Sequence, residues 1–401
     1  MIKAKFNIAL IIVIMLGIGL AIGCMSPTGG DIGCGGPGTQ GWSGFTSNDD
    51  TLYLGSRNGA LLALNLEARS QNMMFPGEGE WDYTVEIAAP VNPCGPLLSC
   101  GTGGAPKAVL YSTPAASEDL IYIGSYSGKV YSVLSEPVNP RSVEYDQAYP
   151  RSETGTIGGI VGNLVLVDDV LFAGSSNGMV YALDAEKLQK IWEFDTGEKV
   201  WTTPVISDGV VYIGSFNRKI FALSSEDGSQ IWQVDLPTAM GSTPVVYKDK
   251  LIFGAFDRNL YAVNKSDGQI KELFQGGNWF WAEPVIKDNI IYAACLDNSI
   301  YAINADTGIE QWKQTAESPV ISKPVLVGEL LISIAKSGQM QFINSNNGVL
   351  ERTLKIDAEV MAPLYAKDDI IYVHARNGYV YAVDVLEAKV IWKFSTDLGS
   401  E

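Results

Sequence analysis

The chain has 401 residues, 46% of them apolar, with 42 glycines, one histidine and a formal charge of −17. So acidic a composition excludes nucleic acid as a partner, because phosphates demand a basic surface. A modest 18% of charged residues beside abundant glycine fits an all-β protein rich in tight turns, not a disordered acidic chain.

Residues 1–23 read as a secretory signal: Lys3 and Lys5 precede an uncharged, almost wholly apolar run from Phe6 to Gly23. The run ends in "LAIGCM", whose small residues before Cys24 are similar to the lipobox of bacterial lipoproteins. That resemblance implies lipidation of Cys24, which becomes the new N-terminus. An uncleaved apolar anchor is the alternative, since 18 residues just cross a bilayer. Either way the rest of the chain is expected outside the cytoplasm, tethered to a membrane of the cell envelope. Diacylation plus an N-terminal acyl chain would hold it firmly. Residues 24–40 then form the lipidated cysteine and a Gly-rich tether without apolar periodicity.

From residue 41 onward one pattern recurs. Copies aligned on their second strand begin at Leu52, Ile121, Leu171, Val211, Leu251, Ile291, Leu331 and Ile371. The last six are spaced by 40, while the first two gaps, of 69 and 50, contain insertions, one of them at about 76–107. Each copy reads as four short strands. In one of them "WTTPVIS", "GVVYIGS", "KIFALS" and "SQIWQV" follow one another across turns at Asp208-Gly209, Asn217-Arg218 and Asp227-Gly228. Eight such units repeated radially predict an all-β fold, an eight-bladed β-propeller of four-stranded antiparallel blades over 41–397. A linear solenoid would need polar end caps, and none is evident.

The third and fourth strands carry an alanine, a glycine six residues on and a tryptophan ten on. Ala222, Gly228 and Trp232 fit, as do Ala302, Gly308 and Trp312. Ala182 with Trp192 and Ala382 with Trp392 keep the two ends. Glycine makes the tight turn, and the indole offers a large flat surface to the next blade. Trp192, Trp232, Trp312 and Trp392 are therefore the expected blade-docking residues. Met73, Leu273 and Leu354 lie near positions where tryptophan is expected, so those blades should dock less tightly. With "W-x-x-P" openings and "Y-x-G-S" strands, the pattern resembles the tryptophan-docking repeat of pyrroloquinoline-quinone (PQQ) type propellers. On a lipid tether, such a ring is similar to the BamB family of outer-membrane assembly lipoproteins. It is similar also to the catalytic domain of quinoprotein dehydrogenases.

These resemblances imply different functions. The dehydrogenases use a disulfide between adjacent cysteines above the quinone, an aspartate base and a Ca²⁺ ion. No cysteines are adjacent here. Cys94 and Cys100 flank "GPLLS", a loop short enough to close as a disulfide worth about 2 kcal/mol. Two free thiols, or Cys34 pairing with one of them, are the alternatives. Cys295 replaces a serine of the second strand and reads as a small buried residue. His374 stands where other copies have Gly or Ala, and a lone strand histidine is more often packed than catalytic. The pairs Asp49-Asp50, Asp168-Asp169 and Asp368-Asp369 recur in the turn between strands one and two and read as solvated turns. No catalytic residue, metal or cofactor is expected. The reading is a non-catalytic protein-binding scaffold, with a PQQ-dependent dehydrogenase-type domain or a glycan-binding propeller as alternatives.

Antiparallel strands put the two-to-three turns and the blade-to-blade connections on one face. Those turns carry Arg57, Lys129, Arg218, Lys219, Arg258, Lys336 and Arg376 against Asp257 and Asp297, a surplus of five positive charges. The one-to-two turns on the other face are strongly acidic. Trp42, Tyr111, Trp201 and Trp281 share one repeat position near the channel mouth, and Trp279 lies beside them in "GGNWFWAEP". The 76–107 insertion, with Trp81 and the cysteine pair, is expected in a connection on the same face. Aromatics with arginine favour binding hot spots. Arg57, Arg218, Arg258, Lys336 and Arg376 with these aromatics are accordingly the partner-binding candidates of a monomeric ring. Their expected partner is an acidic or extended segment of an envelope protein, one of an assembly or secretion complex.

Overall fold

A computed structural model describes residues 42–67, 69–70, 73–77, 79–85, 108–136 and 157–397. The signal, Cys24, the tether and the Cys94–Cys100 loop lie outside the described residues. Eight antiparallel meanders follow one another in a ring, at 45–84, 115–134, 165–195, 205–235, 245–275, 285–315, 325–355 and 365–395. This is the expected eight-bladed β-propeller. Seven blades show four strands and the second shows three among the described residues.

The 40-residue spacing works because each blade solves the same packing problem. In blade four, strand Val205–Ser207 starts the sheet, and Val210–Ser215, Lys219–Ser224 and Gln230–Asp235 follow outward. First strands of neighbouring blades meet around the axis. Second and third strands are almost wholly buried, because both of their faces meet other blades. The one-to-two turn takes left-handed conformations at Asp208 (φ 55°) and Gly209 (φ 74°), as a two-residue hairpin requires. Asp168, Asp169 and Asp368 make the same turn and are exposed, which bears out the solvated-turn reading.

The docking tryptophans sit where the repeat places them. Ala182, Ala222, Ala302 and Ala382 face Trp192, Trp232, Trp312 and Trp392 across the third and fourth strands. Three of the indoles reach into the next blade's three-to-four turn: Trp192, Trp232 and Trp312 donate to the carbonyls of Ser225, Lys265 and Ser345 at 2.9–3.0 Å. The turn glycine lets the ring approach. A Cβ on Gly228 would lie 2.6 Å from the Trp192 ring, and one on Gly348 2.7 Å from Trp312.

Three expectations about this motif need correction. Trp81 is not in a connection: it belongs to strand Trp81–Thr84, faces Ala63, and donates to the Ser135 carbonyl of blade two at 3.1 Å. It is the docking tryptophan of blade one, displaced in the sequence by an insertion before its strand, so Met73 does not take that place. In blade seven Arg352, not Leu354, faces the alanine-equivalent Phe342; its guanidinium lies over that ring at 5.7 Å and donates to the Leu386 carbonyl of blade eight. In blade five the β-bulge falls at residue 273, turning Leu273 inward to be buried at the interface.

Among the described residues no strand is exchanged to close the ring, so closure there rests on side chains. Trp392 and Phe394 of the last strand pack with Phe45, Leu52, Leu54 and Leu62 of blade one. Ser47 bonds Tyr365 at 2.6 Å, and Asn58 donates to Asp397 at 2.7 Å. The insertion between the third and fourth strands of blade one folds over this seam: Phe75 meets Phe394 at 5.2 Å, and Arg69 lies 4.5 Å over the same ring.

His374 also belongs to the seam and is buried, as a packed residue should be. Its Nδ1 lies 2.9 Å from the Ser43 carbonyl, which can only accept, so Nδ1 carries the proton at neutral pH. Burial pushes its pKa below the ordinary 6.5, with the Ser43 bond opposing. The unfolded chain therefore binds a proton that the ring excludes. Stability from this group is full above about pH 6.5 and is lost as the pH falls below it. We expect the urea midpoint to fall between pH 7.5 and 5.5 by more in the wild type than in His374→Gln; equal slopes would contradict this.

Candidate functional site

The first strands enclose a cavity of about 610 Å³ on the ring axis. Trp42, Tyr111, Trp201 and Trp281 all line it, half-buried, as the shared repeat position predicts. Each is anchored by a neighbour. Trp42 and Tyr111 pair at 4.4 Å, and Tyr111 meets Tyr126 edge-on at 5.5 Å. Trp201 donates to Ser176 Oγ at 3.0 Å and packs on Phe216 at 4.9 Å. Burial pushes the Tyr111 pKa up.

Sequence reasoning missed Phe216 and Phe256. They occupy the two-to-three turns of blades four and five, in "GSFNRK" and "GAFDRN", and the recurrence of F-x-R at a spacing of 40 was the available signal. Gly241 stands at the tryptophan position of blade five, where a Cβ would lie 2.6 Å from the Phe280 carbonyl oxygen. Phe256 meets Trp279 at 5.2 Å and Trp281 at 5.7 Å. Trp201, Phe216, Phe256, Trp279 and Trp281 form one continuous arc over blades four to six.

Two residues along from the tryptophan position runs a polar belt, bonded from blade to blade. Asn163 Oδ1 accepts from the Thr113 N–H at 2.9 Å, Thr203 Oγ1 from Asn163 at 3.0 Å, and Thr243 Oγ1 from Thr203 at 3.3 Å. Glu283 and Lys323 continue it as an ion pair at 2.5 Å.

The turn face differs from its expected charge. The two-to-three turns do lie beside the connections, bonded through their backbones, as in Phe216 N–H to Lys199 O at 2.9 Å. The connections and strand ends, however, add carboxylates that the turn count left out: Asp195, Glu198, Asp235, Glu317, Asp357, Glu359 and Asp397, against Lys199 and Lys355. The face is therefore not basic as a whole. Arg57 pairs with Asp397 at 3.8 Å, while Lys336 and Arg376 pair with Glu359 at 3.9 and 2.9 Å. Arg218 and Arg258 are exposed and join no ion pair among the described residues.

These two arginines also take left-handed backbone, as does Asn298 at the same turn position of blade six. They take φ of 66° and 74°, at the turn position where blades one, two, three, seven and eight have Gly59, Gly128, Gly178, Gly338 and Gly378. An L-residue in this region costs about 1–2 kcal/mol. Adjacent blades thus hold an arginine where the backbone favours glycine, beside the aromatic arc.

Elsewhere, Cys295 is buried, donates to the Asn278 carbonyl at 3.2 Å, and has its pKa pushed up to about 12 by burial, so it is a packed thiol as expected. Among the described residues no group of three or more His, Cys, Asp or Glu side chains is placed to share a metal ion. The cavity also fits PQQ poorly. That cofactor is a tricarboxylate, and the sole cation lining the cavity among the described residues, Lys323, is already neutralised by Glu283.

Ring, repeat and docking tryptophans define an eight-bladed propeller of PQQ-type repeats. The family model for outer membrane protein assembly factor BamB matches residues 142–276 and 271–393, and the chain belongs to that family. Among solved structures, the computationally designed Ika8 protein is 16% identical with a TM-score of 0.66, over 86% of this chain and 96% of that one. BamB from Moraxella catarrhalis is 15% identical with a TM-score of 0.65, over 85% of this chain and 93% of that one. At such identities the likeness is one of fold. The search of curated proteins produced no significant match.

Proposed function

We propose that this chain is a non-catalytic scaffold of the cell envelope, lipid-anchored through Cys24 outside the cytoplasm, that captures a partner protein on its turn face. The observation that carries the reading is the pair Arg218 and Arg258. Each is exposed and unpaired, and holds a left-handed conformation next to Phe216, Phe256 and Trp279. Strain of this kind, held by a charged side chain with no ion-pair partner among the described residues, supports a binding role. Arginine beside half-buried aromatics is the composition of interface hot spots. The partner contributes an acidic, extended segment, with carboxylates for the two guanidinium groups and an apolar side chain for the arc. Arg57, Lys336 and Arg376, held by Asp397 and Glu359, play a smaller part. Membership in a family described by outer-membrane assembly supports an envelope partner.

Function and stability then separate in one variant. Arg218→Gly with Arg258→Gly relieves two left-handed side chains and offsets only part of that gain through the entropy of glycine. We expect it to raise stability by about 0.5–1 kcal/mol per site. Envelope proteins that co-purify with the wild-type chain should be lost from it. Undiminished co-purification would overturn the assignment, whatever the stability.

A further inference from the structure

We infer that the axial cavity is a binding site for a neutral carbohydrate of about disaccharide size, which shares the Trp201 and Trp281 rings with the partner surface but not Arg218 or Arg258. The belt supplies the first part of the argument. Thr203 and Thr243 each use the hydroxyl oxygen as an acceptor, and neither hydroxyl proton has an acceptor among the described residues. Asn163 uses Oδ1 in the same way, and its Nδ2 amide is unpartnered among those residues. Three donors from successive blades thus line one arc of the cavity wall. Their positions are fixed by the very bonds that occupy their acceptor atoms. Such an array is preorganised, so a ligand with matching acceptors would not have to order it.

The aromatic rings supply the second part. Trp201 and Trp281 line the same cavity, each held in place by Phe216 or Phe256. Ligand chemistry then follows by elimination. A purely apolar occupant would leave the Thr and Asn donors buried without acceptors, which is costly. A charged one would enter a cavity whose single ion pair among the described residues, Glu283–Lys323, is already balanced. A sugar presents an apolar C–H face to an indole and hydroxyl oxygens to a ring of donors, without net charge. A volume of about 610 Å³ lies within the range of small-ligand pockets.

The test uses the full chain with cellobiose, maltose and N,N′-diacetylchitobiose, read by saturation-transfer NMR and by tryptophan fluorescence. At least one disaccharide should receive saturation and shift the emission. Thr203→Val and Trp201→Ala should each weaken it about tenfold, the equivalent of one well-placed contact. Arg218→Gly with Arg258→Gly should leave it unchanged, which distinguishes this site from partner capture. Thr243→Val serves as a second probe of the belt if either cavity variant melts early. No response to any of the three sugars, a response equal in the wild type and the cavity variants, or binding of PQQ but of no sugar would each overturn the inference.

Discussion

Arg69→Ala should be among the most damaging single changes in this ring, lowering stability by about 3–5 kcal/mol. Arg69 and Glu80 form an ion pair with side chains only 2% and 1% exposed. Glu80 is bound further by the N–H groups of Gly77 at 2.7 Å and Asn65 at 3.2 Å. Removing the arginine strands a carboxylate in the interior and uncovers Phe394, over which the guanidinium lies. The effect should centre on the seam, because among the described residues no strand crosses it and side chains join the last blade to the first. Urea denaturation would measure the loss, and hydrogen exchange should show strands Phe45–Asn48 and Tyr365–Lys367 opening first. The double variant Arg69→Met with Glu80→Gln removes both charges and keeps an acceptor for the two N–H groups, so it should recover most of the loss. A cost for Arg69→Ala below about 1 kcal/mol, the value of an exposed pair, would refute the clasp.

Trp312→Ala should cost a comparable amount, about 3–5 kcal/mol. The indole is 9% exposed, meets Tyr292 at 5.8 Å, donates to the Ser345 carbonyl and presses on Gly348 of blade seven. Alanine leaves a cavity between two blades, and the Ser345 carbonyl keeps only its bond from the Tyr292 hydroxyl at 3.2 Å. Arg352→Ala, at the equivalent register of the next interface, should cost less. The Arg352 side chain is partly exposed, so water can take its place. A ranking with Arg352 above Trp312 in urea midpoints would show that burial at the docking position does not govern the interfaces.

The comparison of these two positions marks where sequence reading reached. Copy number, strand order and the docking role of Trp192, Trp232, Trp312 and Trp392 were legible, because each blade is a local unit and one local pattern recurs at a fixed spacing. The aromatic lining of the channel was legible for the same reason, since Trp42, Tyr111, Trp201 and Trp281 share one repeat position. Trp81 was misplaced because an insertion broke the count on which its role depended. Arg352 was missed although it lies 40 residues from both Trp312 and Trp392, because an apolar residue was sought at the docking place and Leu354 lay two positions on.

Charge on the turn face depended on parts of the chain that no single repeat contains. Asp397 neutralises Arg57 across the seam, and Glu359 takes both Lys336 and Arg376, so five candidate cations became two free ones. The sequence by itself determined a ring of eight equivalent sheets and which residues join them, since burial periodicity and turn chemistry act over a few residues. Only the tertiary structure decided which cations stay unpaired, how the seam is clasped and which donors face the axis. Those properties arise between elements far apart in the chain, where distance in space, not order in sequence, sets the energy.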